Sequence, residues 1–213
     1  MDHLDPICDQ IREDFNRKTA RRDVALGQAR ELTRHASLAI RAIHREDHAE
    51  AETELEAGRQ LVHTIKADLR DDPDLYFAGY TQDAIKEYCE AQLTVAMILN
   101  RALPTPQELG AEYPAYVNGM TETLGELRRR CLDLLRPGYS EEVERLLGCM
   151  DDIFTQLVTM DYPDAITDGL RRRTDLARGI IERTRADITV SFRQSELERA
   201  LSRLSRQLSD QQS

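Results

Sequence analysis

From Ala91 onward the residues Leu93, Val95, Ala96, Met97, Ile98 and Leu99 are apolar almost all round, within a stretch that reads as one helix over Thr81–Leu103. A helix apolar on every side belongs in a core, so the rest of the chain must wrap it. Two carboxylates, Glu87 and Glu90, enter this helix from its N-terminal half at i and i+3 and share one side of it. A carboxylate drawn into a core needs a cation, a set of hydrogen bonds or a proton. What satisfies Glu87 and Glu90 is therefore the question that the sequence poses.

The flanking segments read as helices too. Leu4, Cys8, Ile11 and Phe15, then Ala25, Ala29, Leu32, Ala36, Ala39 and Ile43, hold one three-four spacing, interrupted only by Arg22. This predicts a single helix from about Pro6 to Asp47, about 60 Å long by helical rise. Ala51, Leu55, Gly58, Val62, Ile65 and Leu69 define a second, stopped at Asp71-Asp72-Pro73. The central helix is expected to run to Pro104-Thr105-Pro106. Tyr113–Leu135 follows, with Val117, Met120, Leu124, Leu127, Cys131 and Leu134 on one face. Ser140 is placed as a capping-box N-cap, with Glu141 and Glu142 in the first turn of a helix whose core is Val143, Leu146, Leu147, Met150, Ile153, Phe154 and Leu157. The last long helix starts near Leu170, with Leu176, Ile180, Thr184, Ile188 and Phe192 in step. No period-2 strand pattern and no fixed repeat occurs. The fold expected is all-α, a single domain of six or seven helices over 1–194. A C-terminal helical tail over 195–213 carries Leu197, Leu201, Leu204 and Leu208, and is partly disordered towards Ser213.

Composition narrows the function classes. The chain has 213 residues, 40% hydrophobic and 32% charged, with 29 basic residues against 39 acidic for a net charge of −10. A surface acidic overall repels nucleic acid unless the cations are gathered on one face. Cys8, Cys89, Cys131 and Cys149 lie far apart, which fits neither a zinc knuckle nor a disulfide framework and suggests small buried thiols. No apolar leader opens the chain and no run is long enough to span a bilayer, so a soluble, cytoplasmic protein with no membrane partner is expected. His44 and His48 stand at i,i+4, but the glutamate between them is misplaced for a zinc-protease motif. A glycine-rich phosphate loop and a Ser-His-Asp order are lacking as well.

A second carboxylate pair, Glu122 and Glu126, stands at i,i+4 on the Tyr113–Leu135 helix, nearly opposite its apolar stripe. Each pair alone reads as a solvated helix face. Taken together on helices joined by a short Pro-rich connection, which favours antiparallel neighbours, they make an all-oxygen donor set. Such donors suit Mg²⁺ or Mn²⁺ rather than zinc or a di-iron centre, and an acidic cage with a hard ion fits phosphoryl chemistry. Arg129 lies one turn beyond Glu126 with Arg130 beside it, placed to hold a phosphate or simply to pair along the helix. Arg17-Lys18, Arg21-Arg22 and Arg171-Arg172-Arg173 are further basic clusters, each of which also reads as a solvated face.

These motifs carry a resemblance to the translin family, on its translin-associated factor X side. Glu87-Tyr88-Cys89-Glu90-Ala91 is similar to that family's E-Y-x-E-A motif, and Glu122-x-x-Gly125-Glu126-Leu127 to its D-x-x-G-E-L motif. Arg30-Glu31-Leu32-Thr33, Ile43-His44-Arg45 and the segment Gly169–Glu182 match further positions, so the resemblance covers about Arg17 to Phe192. It implies a helical fold assembled into a hollow homo-oligomer, usually an octamer. In the catalytic member it implies a metal-dependent endoribonuclease acting on single-stranded RNA, with Glu87, Glu90, Glu122 and Glu126 as metal-binding catalytic carboxylates. Glu122 departs from the family's Asp by one methylene, which could misplace a metal enough to slow the reaction. With the basic residues turned inward, Arg17, Arg21, Arg129, Arg130, Arg171, Arg172 and Arg173 would contact RNA. Two other readings stand beside this one: a non-catalytic single-stranded RNA- or DNA-binding oligomer, and a helical scaffold or regulatory protein that binds neither RNA nor metal.

Overall fold

The computed structural model describes residues 4–211, and among these there are helices but no strand. Six are long: α1 (Leu4–His44), α2 (His48–Asp68), α4 (Gly79–Ile98), α6 (Tyr113–Leu135), α7 (Glu141–Leu157) and α9 (Leu170–Gln211). Three are single turns, α3 (Pro73–Tyr76), α5 (Pro106–Leu109) and α8 (Asp164–Thr167). The chain forms two compact units, Met1–Gln92 with Pro104–Tyr116, and Leu93–Leu103 with Val117–Ser213.

In the first unit α1 and α2 pack closely because the facing residues are small. Ala25, Ala29, Ala36, Ala39 and Ala42 are buried along α1, and Ala51 and Gly58 along α2. The hairpin between them is closed by Glu46 in the left-handed region (φ 63°). There the Glu46 N–H donates to the Ile43 carbonyl at 3.1 Å and the Asp47 N–H to that of Ala42 at 3.0 Å, a Schellman stop. Asp47 then caps α2, its carboxylate accepting from the Glu50 N–H at 3.0 Å. Gly58 gives Tyr88 its place, since a Cβ there would lie 2.9 Å from ring carbon Cδ2. Tyr88 is fully buried and its hydroxyl accepts from Gln92 at 2.9 Å. The apolar residues Leu4, Ile7, Ile11 and Phe15 of α1, by contrast, are exposed.

The second unit gathers α6, α7 and α9 around Leu124, Leu127, Cys131, Val143, Leu146, Met150, Ile153, Leu170, Ile181 and Ile188, with Met97 of α4 in the same cluster. α4 stops at Ile98, short of the expected prolines. Asn100 takes the left-handed conformation (φ 51°) and the Arg101 N–H donates to the Ala96 carbonyl at 2.8 Å. Asn serves here as the residue that most often replaces Gly in such a stop. Arg145 of α7 then donates to the Met97 carbonyl at 3.0 Å, which the Asn100 N–H also reaches at 3.2 Å, and to the Ile98 carbonyl at 3.5 Å, so a side chain closes the helix end.

Several expectations need correction. Ser140 is the N-cap of α7 but makes no side-chain cap bond, so there is no capping box there; the capping box is at Thr105 and Glu108, ahead of α5. The buried face of α9 is Leu170, Thr174, Ala177, Ile181, Thr184 and Ile188, whereas Leu176 is 61% and Phe192 41% exposed. Segment 195–211 continues α9 without a break, and the disorder expected near Ser213 lies outside the described residues. His44 ends α1 and His48 begins α2, so the two histidines do not share a helix.

Candidate functional site

Glu87 and Glu90 sit on α4 within the first unit, on either side of the buried pair Tyr88 and Cys89, and both are part-buried. Lys86 beside them is only 13% exposed and approaches Asp83 at 3.9 Å. Burial pushes the Cys89 thiol up to about 12 and the Tyr88 phenol to about 12, so neither supplies a charge near the carboxylates at neutral pH.

Glu122 and Glu126 belong to α6 in the second unit. Taken alone this pair reads as a solvated face, yet the two side chains are 29% and 24% exposed. Thr121 and Thr123 next to Glu122 are buried. α9 accounts for part of this burial, because Arg173 Nη1 donates to Glu122 Oε1. Glu126 lies 3.6 Å from Arg129, which is itself 53% exposed. Arg128, given no separate role by the sequence reading, is 23% exposed, against 53% for Arg129. Its Nη1 is 2.8 Å from Asp187 and donates to the Thr184 hydroxyl at 3.2 Å. That contact ties α6 to α9 just beyond the carboxylates.

The other predicted cations divide in two. Arg17 and Arg21 surround the buried carboxylate of Asp72, at 3.8 Å and 2.6 Å. Their first task is thus to neutralise an acid that is only 3% exposed. Arg171 and Arg172 are exposed on the first turn of α9, and Arg130 is part-buried on α6.

Whether a hard divalent ion suits these residues has a two-part answer. The donors are all carboxylate oxygens, the class such ions prefer. As placed, however, no group of three or more His, Cys, Asp or Glu among the described residues is gathered to hold an ion, and Glu122 is already taken by Arg173.

No protein-family model matches the chain. An uncharacterized protein of Methanocaldococcus jannaschii is 29% identical over 206 residues, 96% of this chain and 89% of its own. Two solved structures are similar to the chain: Archaeoglobus C3PO alone, and the same protein in complex with duplex RNA. Both superpose with a TM-score of 0.80 at 32% identity; they cover 86% of this chain, and 96% and 95% of their own. The chain belongs to the translin family. The apo form of Nematostella C3PO, at 22% identity and a TM-score of 0.77 over 87% of this chain and 97% of its own, shares the translin fold. No helix among the described residues is long and apolar enough to cross a membrane.

Proposed function

We propose that this translin-family chain binds RNA as a homo-oligomer, an octamer by the family resemblance, and cleaves it as a divalent-metal-dependent endoribonuclease. The observation that carries the RNA reading is the likeness to Archaeoglobus C3PO, a protein seen with duplex RNA, at 32% identity over 86% of this chain. The cleavage reading is carried by acidic residues at all four motif positions, Glu87, Glu90, Glu122 and Glu126, each part-buried rather than solvated.

These four glutamates would hold Mg²⁺ or Mn²⁺, and the bound ion would lower the pKa of a water and offset charge developing on the phosphate. The chain's own residues do the rest. Arg173 orients the Glu122 carboxylate until an ion takes its place. Arg129, on the turn after Glu126, is exposed enough to meet a phosphate oxygen. Arg130, Arg171 and Arg172 would extend the positive surface on α6 and α9, while Arg17 and Arg21, engaged with Asp14, Asp72 and the Asp68 carbonyl, would meet RNA only by exchanging these partners. Substrate strandedness stays open to both forms: single strands by family resemblance, with single-stranded DNA as a further ligand, and duplex RNA by the Archaeoglobus complex.

The Arg173–Glu122 bond also supports a second reading, an RNA-binding oligomer without catalysis, in which the arginine stands permanently where a metal would otherwise be held. One experiment separates the two. A fluorescent RNA is incubated with the chain and Mn²⁺, with and without EDTA, and with Glu126→Ala and Glu90→Ala. Cleavage that EDTA and either substitution abolish, with RNA binding retained, is the expected result. Binding without cleavage under every metal condition would leave the non-catalytic reading, and absence of RNA binding would overturn both.

A further inference from the structure

The last part of α9 has no fold-internal reason to be a helix. Ile188 is the final buried apolar residue of the helix, and Phe192 makes one edge contact with Tyr139 at 5.0 Å between ring centroids. Beyond it the helix continues to Gln211. The bonds along it are local, such as Gln194 to Glu198 at 3.3 Å and Arg199 to Glu196 at 2.8 Å. A solvated helix of this length is marginal alone.

This part of α9 carries a stripe of its own. Val190, Gln194, Leu197, Leu201, Leu204 and Leu208 alternate steps of four and three. This is the heptad seam of a coiled coil, with Gln194, Leu201 and Leu208 at a and Val190, Leu197 and Leu204 at d. Val190 is 66% exposed, and the four leucines lie between 52% and 60%. The buried face upstream, Ala177, Ile181, Thr184 and Ile188, lies on a different side of the helix, so the seam does not serve this unit's own core.

We infer that residues 190–208 pair with the same segment of a second copy as a parallel, in-register coiled coil. The charge pattern selects both partner and direction. Arg193 falls at g and Glu198 at e, so in a parallel pair each Arg193 meets the other copy's Glu198. The following g and e positions, Ala200 and Ser205, are neutral, so no like charges oppose one another. Parallel pairing also sets Gln194 against Gln194, where two amides can hydrogen-bond. Antiparallel pairing would bury each amide against a d-layer side chain. A single polar a-position of this kind specifies register at some cost in stability. Another exposed apolar stripe, Leu4, Cys8, Ile11 and Phe15 on α1, holds the same three-four spacing but meets Lys18 and Arg22 at its next two steps, so it is the shorter seam and the rival occupant.

The pairing needs neither RNA nor metal, so its test is separate from that of the proposed activity. The full-length chain carrying Gln194→Cys is oxidised with diamide and run on a non-reducing gel beside the unsubstituted chain, which accounts for Cys8 and Cys149. The outward control is Arg203→Cys. A disulfide-linked dimer specific to Gln194→Cys, and lost when Leu201→Asp is added, is expected. Since Leu201 is 56% exposed, that added change removes no core contact. No dimer from Gln194→Cys, or equal dimer from Arg203→Cys, would overturn the inference, whether the tail docks on α1, pairs antiparallel or stands alone.

Discussion

The guanidinium of Arg173, on the first turn of α9, donates to the carboxylate of Glu122 on α6. One residue expected to touch RNA and one expected to hold metal are thus bound to each other. Both side chains are 29% exposed, so the pair is neither a screened surface contact nor a fully buried one.

The first consequence is competitive. A divalent ion that uses Glu122 must displace Arg173, and a pair of this exposure contributes about 1 kcal/mol. Arg173→Gln should therefore raise Mn²⁺ affinity about fivefold, read by isothermal titration calorimetry without RNA. An unchanged affinity would show that Glu122 is not a ligand.

Packing of Gly58 against Tyr88 sets a second expectation. Gly58→Ala puts a methyl 2.9 Å and 3.0 Å from two ring carbons and should destabilise by about 1–3 kcal/mol. Gly27→Ala is the control: it is exposed within α1, meets nothing within 4 Å, and should stabilise by roughly 0.5–1 kcal/mol. Urea midpoints of the two variants should move in opposite directions.

The thiols should sort by environment. Cys89 and Cys131 are buried, which pushes both up to about 12; Glu142 adds to the shift at Cys131. Iodoacetamide at pH 8 should label the part-exposed Cys8 and spare these two until the chain is unfolded, as mass spectrometry of peptides would show. Labelling of Cys89 in the native state would mean that the α4 core opens on the timescale of the reaction.

Acid stability should depend on Glu142. Its hydrogen bond from Arg145 holds the carboxyl below the ordinary value, 4.5, against a smaller opposing effect of burial. A group with a lowered folded-state pKa stabilises the fold above the unfolded value, and loses that contribution as pH falls through the folded one. Glu142→Gln should therefore lower the melting temperature at pH 7 and have progressively less effect below pH 4.5. A loss independent of pH would assign the effect to packing.

Much of the architecture was legible because helical periodicity is local. Tyr113–Leu135 was bounded correctly at both ends, and nearly every core residue named for α7 is buried, with Phe154 part-buried at the margin. What failed was phase and partnership. On α9 Thr184 and Ile188 are buried as expected, but upstream the face is turned by one residue: Leu176 outweighs Ala177 in hydrophobicity, yet the packed side takes the smaller residue. The stop of α4 was assigned to prolines, while Asn100 ends it earlier through a backbone conformation with no apolar signature. At the candidate site, the motif positions could be read off α4 and α6, but not their counterions. Arg173 is 51 residues from Glu122 and Arg21 is 51 from Asp72, separations that no local pattern records. Asp72 itself read only as part of a helix stop, not as a buried acid.

The bond from Arg145 to the Met97 carbonyl spans 48 residues of sequence. On a ribosome, the end of α4 therefore emerges well before the side chain that completes it. Until α7 is made, the last turn of the most apolar helix must rely on Asn100 and on water, so the second unit can close only late in synthesis. A nascent chain halted before Arg145 should offer that turn to chaperones, and one released after it should not.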